Sequence, residues 1–527
     1  MTTLPAAPDV FHVFDTTLRD GAQQEGLRLT VADKLRIARH LDELGVGFIE
    51  GGWPGANPND TAFFAAAADG ELTLKSALLV AFGFTRRVGT TAAEDPLVQA
   101  LIDARTPVVC IVAKSHDEHV RRALHTTLEE NLEMIRDTVT HLVAAGKRVF
   151  VDCEHFFDGY RANPGYAIEC VRVAADAGAE VVVLCDTNGG MLPAWIGDIV
   201  TAASQVGVDL GIHCHNDTGC AVANTLAGVD AGVMHVQGTI NGHGERTGNA
   251  NLITLIANLQ LKYGWSLIPE SSLREATRIS HAIAGVTNVS PNNRQPYVGQ
   301  SAFAHKAGLH ASAIKVDANL YQHIDPTLVG NDMRMLVSDM AGRANIQIKG
   351  SELGYDLSDR KLAASITNVV KQREMEGYSY ESADASFELL LRQELGTLEE
   401  LFEVISWRAI TGHEVKPEGD SEATVKLRTN GRTHLLAGEG HGPLHALDVA
   451  LRSGLKEVYP HVDDFELTDY RVRILDQVHG TDAIVRALID TTDGTRTWTT
   501  VGVGTNVLEA SWEALYDAYR WGVMKRD

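Results

Sequence analysis

From the N-terminus to about residue 262, short apolar runs alternate with helix-length stretches. The runs are HVFDTTL (12–18), GFIEGG (47–52), SALLVAFGF (76–84), PVVCIVAK (107–114), RVFVDCEHF (148–156), VVVLCDTNG (181–189), LGIHCHND (210–217) and HVQGTI (235–240). Between them lie segments such as TVADKLRIARHLDELG, whose Leu and Ile recur at three- and four-residue spacing, the period of an amphipathic helix. Eight Val-, Ile- and Leu-rich runs, each followed by a helix within roughly 250 residues, predict a closed (β/α)8 TIM barrel. An open doubly wound sheet is the competing arrangement. The count of eight and the lack of a GxGxxG turn after the first run favour closure.

Beyond residue 262 the alternation fades. SAFAHKAGLHASA (301–313), NLYQHIDP (319–326) and SDRKLAASITNVVKQREMEG read as a mostly helical lid and connector. TGHEVKPEGD (411–420), polar with Pro and Gly, is the best linker candidate. The last hundred residues carry a weak internal repeat. EATVKLRT-NG-RTHLLAGEG reads as a hairpin with a primed turn at Asn430-Gly431, followed by a helix; a second hairpin around Asp493-Gly494 precedes VLEASWEALYDAYRW. Gly438-x-Gly440, Leu444 and Ala446 match Gly502-x-Gly504, Leu508 and Ala510 at equal offsets, which predicts two strand-strand-helix units in a small α+β module. The expected layout is therefore a barrel over 1–285, helical lid and linker subdomains over 286–410, and a C-terminal regulatory or dimerisation domain over 421–527.

The polar residues of the barrel segment cluster at run ends. Asp15, Arg19, Asp20, Glu50, Asp152, Glu154, Asp186, Asn188, His213, His215, Asn216, Asp217 and Asn241 all fall late in a run or just after it, whereas the run starts are apolar. Parallel barrel strands deliver their C-terminal ends to one mouth, so these groups are expected to converge there.

Within that set, His213-Cys214-His215 ends a predicted strand. Period-two alternation points both imidazoles inward and Cys214 toward the helices. Two histidines on one face, with the Asp20 carboxylate across the mouth, form a candidate site for a divalent ion with open positions. The mixed N and O donors suit Mn2+, Mg2+, Co2+ or Zn2+ and do not choose among them. Arg19, beside Asp20, is placed to stabilise a developing oxyanion or hold a carboxylate. Glu154 shares a face with Asp152 and suits proton transfer. Asn249, in GERTGNANL, either coordinates through its amide oxygen or caps the next helix.

Composition narrows the partners. The 527 residues are 44% apolar and 22% charged, ordinary for a globular chain, and 46 Lys plus Arg against 69 Asp plus Glu leave a net charge of −23. That balance argues against nucleic acid or an anionic membrane as the main partner. No apolar run approaches the ~18–20 residues of a membrane span, and MTTLPAAPDV lacks a signal-peptide layout, which reads as a cytoplasmic chain. Six cysteines without CxxC spacing read as reduced thiols. His116, His119, Arg121 and Arg122 are candidates for contacting phosphates.

Leu18-Arg19-Asp20-Gly21-Ala22-Gln23, followed by Lys34, resembles the first signature of the 2-isopropylmalate synthase, homocitrate synthase and citramalate synthase family, and LGIHCHNDTGCAVA (210–223) resembles its second. The likeness covers almost the whole chain; GGWPGANPND, DCEHFFDGY and SAFAHKAGLHASA look most like the citramalate-forming branch. The resemblance implies condensation of acetyl-CoA with a 2-oxo acid, pyruvate in this branch, then thioester hydrolysis, feeding isoleucine synthesis and needing no organic cofactor. It implies Asp20, His213 and His215 as metal ligands and Arg19 at the forming alkoxide. Thr187 would bind the oxo-acid carboxylate, Glu154 would assist proton transfer, and His310 with Tyr321 would remove the acetyl methyl proton. It also implies a homodimer with exchanged lids and a branched-chain amino acid effector at the C-terminal domain. There are two departures. His310 is followed by Ala311-Ser312-Ala313 where related lids read His-x-Asp-Gly, which makes His305 its rival, and Asp152 stands where short-form citramalate synthases carry an apolar pocket residue. The alternatives are a 2-isopropylmalate synthase acting on 2-oxoisovalerate, a hydroxyacyl-CoA lyase, and a non-catalytic amino-acid sensor.

Overall fold

A computed structural model describes residues 5–337, 342–412, 421–475 and 483–525. Two compact units are present, Met1–Phe303 with Ile324–Asp332, and Ala304–His323 with Met333–Asp527.

In the first unit the eight runs form eight parallel strands: β1 (His12–Asp15), β2 (Phe48–Glu50), β3 (Leu78–Phe84), β4 (Val108–Lys114), β5 (Arg148–Glu154), β6 (Val181–Asp186), β7 (Asp209–Cys214) and β8 (His235–Gly238). They close in sequence order, with β1 paired to β2 and, through His12↔His235, to β8, so the barrel has no edge and the open-sheet alternative is excluded. Alternation sorts the side chains. Phe14, Phe48, Val80, Val108, Cys110, Phe150, Val181, Val183 and Cys185 fill the interior, while Val149, Val151, Cys153, Val182, Leu184 and Cys214 pack against the helices. Local signals set the helix ends. Thr30 and Asp33 form a reciprocal capping box before the helix Val31–Leu44, and Gly45 ends it in the left-handed conformation. Among the described residues all six cysteines are unpaired, and no helix is long and apolar enough to cross a membrane.

The second unit holds the short parallel pair β9 (Ala304–His305) and β10 (Arg334–Met335), and helices Arg343–Glu352, Arg360–Met375 and Asp384–Glu394. Two antiparallel sheets follow: β11 (Glu403–Thr411), β12 (Ser421–Thr429) and β13 (Arg432–Gly440), then β14 (Glu466–Ile474), β15 (Val485–Thr492) and β16 (Thr497–Gly504). Helices Pro443–Leu455 and Val507–Met524 close the two repeats. Each repeat thus has one more strand than the two-strand unit expected. β11 and β14 are edge strands with no fully buried residue, although β14 alternates as Tyr470-Arg471-Val472-Arg473-Ile474 and β11 packs Val404, Trp407 and Ala409 on the core. β11 lies inside the segment read as helical; in the stretch read as a linker, Thr411 belongs to β11 and 413–420 fall outside the described residues.

The repeated glycines have a packing cause. A Cβ on Gly438 would meet the Ala446 carbonyl oxygen at 2.4 Å, and one on Gly502 would meet that of Ala510 at 2.1 Å. Strand and helix approach until only hydrogen fits. Gly502→Ala is therefore expected to destabilise the protein by ~2 kcal/mol or more, whereas Gly494→Ala, strained at φ 82° but in open space, is expected to cost about 1 kcal/mol. Calorimetric melting of the two variants checks the order. The Asn430-Gly431 turn takes the expected form, both residues having positive φ between Thr429 and Arg432.

Candidate active site at the barrel mouth

The loop after β1 is stitched before it presents anything. Asp15 accepts hydrogen bonds from the Thr17 backbone N–H (2.9 Å) and hydroxyl (2.8 Å), and the Thr17 hydroxyl accepts from the Ile240 N–H after β8 (2.8 Å). The turn then returns to Thr16, whose carbonyl accepts from Gly21 N–H at 3.0 Å, and Arg19 and Asp20 enter the mouth.

His213 points inward from β7; His215, just beyond the strand end, is held by a backbone bridge to Asn249. Their Nε2 atoms lie 3.3 Å apart, and Asp20 Oδ2 is 3.8 Å from the first and 3.9 Å from the second. All three side chains are buried. Two ligands meeting one ion at ~2.1 Å and near right angles stand about 3 Å apart, so these donors fit a single cation. Their charge states fit as well. Burial lowers both imidazoles, His213 to about 4, leaving neutral rings with lone pairs to offer. Burial alone would raise Asp20, but Arg19 and the two histidines hold it far below the usual carboxylate range. Asn249 Nδ2 donates to Asp20 Oδ1 at 2.8 Å, and its buried Oδ1 has no protein partner. The helix cap expected as the alternative role of Asn249 is supplied by Asn251 instead.

Arg19 is clamped. Nε donates to Glu50 Oε2 at 2.7 Å, Nη1 donates to Asp20 Oδ2 at 2.8 Å, and the guanidinium lies 3.9 Å over the Phe82 ring. Glu50 is fully buried and also accepts from the Thr16 hydroxyl at 2.5 Å. Burial, then the neighbouring Glu50, push Asp152 up to about 7. Glu154 is paired with Lys114 at the end of β4. The Thr187 hydroxyl oxygen accepts from the His155 backbone N–H at 2.8 Å, which leaves its own proton to donate; His155 takes a left-handed φ of 56° to do this.

Arg19, Asp20, Asp152, Glu154, Thr187, His213 and His215 all line one cavity of about 760 Å³. Trp53 walls it, stacked on Phe84 at 5.3 Å and edge-on to Phe82 at 5.9 Å. A buried Lys34–Asp60 pair builds the loop that carries Trp53, with Lys34 also bonded to the Gly51 carbonyl and Asp60 accepting from the Trp53 N–H. His305, His310 and Tyr321 belong to the second unit, where the His310 and Tyr321 rings stack at 4.2 Å and His305 lies 6.3 Å from His310. Arg121 is tied to Asp117 and Glu118 on its own short helix.

Other late-strand polar residues build loops rather than the cavity. Asp186 accepts from Gly190 and Met191 N–H, Asn216 from Ala221 N–H, and Asn241 bonds Ser280. Sequence reasoning missed Gln237, Lys114 and the Trp53–Phe82–Phe84 wall. The available signal was parity: Gln237 is a lone amide on the inward face of β8, and Lys114 ends β4 as Glu154 ends β5.

Comparison with known proteins gives three consecutive matches: HMGL-like over residues 10–282, homocitrate synthase post-HMGL domain-like over 297–376, and LeuA allosteric (dimerisation) domain over 381–521. The chain is 63% identical over 530 residues to the (R)-citramalate synthase of Streptomyces coelicolor, covering 100% of this chain and 99% of that one. It is 48% identical over 521 residues to the (R)-citramalate synthase of Aquifex aeolicus, covering 98% of each. A "Probable 2-isopropylmalate synthase" of Methanopyrus kandleri is 33% identical over 513 residues, covering 96% of this chain and 97% of that protein.

Proposed function

This chain belongs to the HMGL-like family, and from that membership and the geometry of the barrel mouth we propose that it condenses acetyl-CoA with pyruvate and hydrolyses the product thioester to (R)-citramalate and CoA. The carrying observation is the convergence of Asp20, His213 and His215 beside a clamped Arg19 on one cavity. In the balanced step, the acetyl methyl carbon loses a proton and bonds the oxo carbon of pyruvate. The oxo oxygen becomes an alkoxide and takes up a proton, and water then replaces CoA on the acyl carbon.

Asp20, His213 and His215, with the unpartnered Asn249 amide oxygen, would hold a divalent ion, which supplies Lewis-acid polarisation of the oxo group when bound. Arg19 meets the alkoxide oxygen as charge develops there. The Thr187 hydroxyl, its oxygen already engaged by His155, donates to the pyruvate carboxylate. Glu154, held by Lys114, moves a proton at the reacting end. His310, stacked on Tyr321, takes the methyl proton, with His305 the rival for that task. The match to a dimerisation domain supports a homodimer, in which we place an exchanged lid and a branched-chain amino acid effector at the C-terminal module.

A 2-isopropylmalate synthase is the second reading, given the Methanopyrus relative. The greater likeness to the (R)-citramalate synthases, 63% and 48% against 33%, favours the smaller acid. CoA release followed with a thiol reagent is expected to give kcat/KM for pyruvate at least ~100-fold above that for 2-oxoisovalerate. A preference for the branched acid would reverse the assignment.

A further inference from the structure

Gln237 stands opposite His213 in the β7–β8 register, facing the barrel interior and buried to 1% exposure. Its amide makes two bonds. Nε2 donates to Asp152 Oδ1 on β5 at 2.9 Å, and Oε1 lies 2.8 Å from His213 Nδ1. An ionised Asp152 only accepts, so it takes the single NH2 of the amide and turns the amide oxygen toward His213. That oxygen only accepts, so His213 Nδ1 must carry the ring proton. The ring then presents a bare lone pair at Nε2, the atom 3.3 Å from His215 Nε2 and 3.8 Å from Asp20 Oδ2.

We propose that Gln237 is a positioning residue: anchored by Asp152, it fixes His213 in the Nδ1–H tautomer that leaves Nε2 open to a cation. The proposal rests on the metal reading above. It also gives the buried Asp152 a task inside the barrel. His215 has no such orienter, since its buried Nδ1 lacks a protein partner, so Gln237 fixes the tautomer of His213 alone. An outer hydrogen bond of this kind typically governs ligand basicity and ring orientation.

The test is a titration of the metal-free full-length chain with Mn2+, followed by the electron paramagnetic resonance of the free ion. Gln237→Met keeps the volume and removes both bonds, and is expected to weaken Mn2+ binding ~10–100-fold. Gln237→Glu retains an oxygen facing His213 Nδ1 and is expected to stay within about threefold of wild type. Mere packing would order the two the other way, because methionine fills the space while a second carboxyl beside Asp152 is the harsher change. Wild-type affinity in Gln237→Met, or equal loss in both variants, overturns the proposal. A second measurement needs no folded Gln237 variant. In 15N-histidine-labelled wild-type protein, the resonances lost in His213→Ala are expected to show the proton on Nδ1, and a proton on Nε2 overturns the proposal. Failure of the wild type to bind Mn2+ instead sinks the metal reading, and the nitrogen spectrum still decides the tautomer.

Discussion

The His213→Ala protein is expected to fold, to bind Mn2+ weakly and to release CoA from acetyl-CoA and pyruvate at no more than about a thousandth of the wild-type rate. His213 is one of two imidazoles among the proposed donors, and its loss leaves Asp20, His215 and the neutral Asn249 amide oxygen, a weaker set for the ion. Several kcal/mol of transition-state stabilisation depend on that ion, and each ~1.4 kcal/mol is a factor of ten in rate. The structural cost is smaller. The substitution opens a space at the mouth and strips Gln237 Oε1 of its donor, a loss of ~1–3 kcal/mol. A melting temperature lowered by a few degrees beside a lost turnover therefore separates chemistry from folding. Chelation of the wild type should reproduce the loss, with Mn2+ restoring activity to the wild type but not to the variant. Full activity in His213→Ala would remove the proposed site.

The pair His213 and His215 was legible because the property that matters, period-two alternation along a strand, is local to the sequence. The same holds for barrel closure, a count of similar units, and for the Asn430-Gly431 turn, where two residues dictate their own backbone. Partnerships across the barrel were not legible. Glu50 grips Arg19 from 31 positions away, Lys114 meets Glu154 across 40, and Asp152 reaches Gln237 across 85. None of these spacings has meaning until the strands close. Asp15 and Asp186 show the converse. They sit at strand ends like Asp152, but their carboxylates bond loop N–H groups within a few residues, a use that composition does not distinguish from catalysis. The third strands were overlooked for another reason: β14 alternates over 470–474, but no Asn-Gly or Asp-Gly pair ties that run to β15 as a hairpin, and in β11 the irregularity between Val404 and Ser406 breaks the period.

Arg19→Gln is expected to lower kcat ~10²–10³-fold with little change in Mn2+ affinity, the reverse of the His213→Ala profile in its second half. The guanidinium touches Asp20 through the carboxylate oxygen nearest the imidazoles, and withdrawing it makes that carboxylate a better donor. Binding of the ion should therefore hold while the alkoxide loses its counter-charge. Arg19→Lys should recover only part of the rate. A single ammonium cannot donate to Glu50 and Asp20 in a fixed fork and keep a planar face on Phe82. Stability complicates Arg19→Gln, because Glu50, with no exposure to solvent, is left as an uncompensated buried charge, a loss of about 3–5 kcal/mol. The double variant Arg19→Gln/Glu50→Gln removes that charge. It is expected to melt above Arg19→Gln yet turn over no faster, since the stabilising group for the alkoxide is missing from both. Recovery of the rate in the double variant would mean that Arg19 serves only to neutralise Glu50, and the oxyanion role would pass to another donor at the mouth.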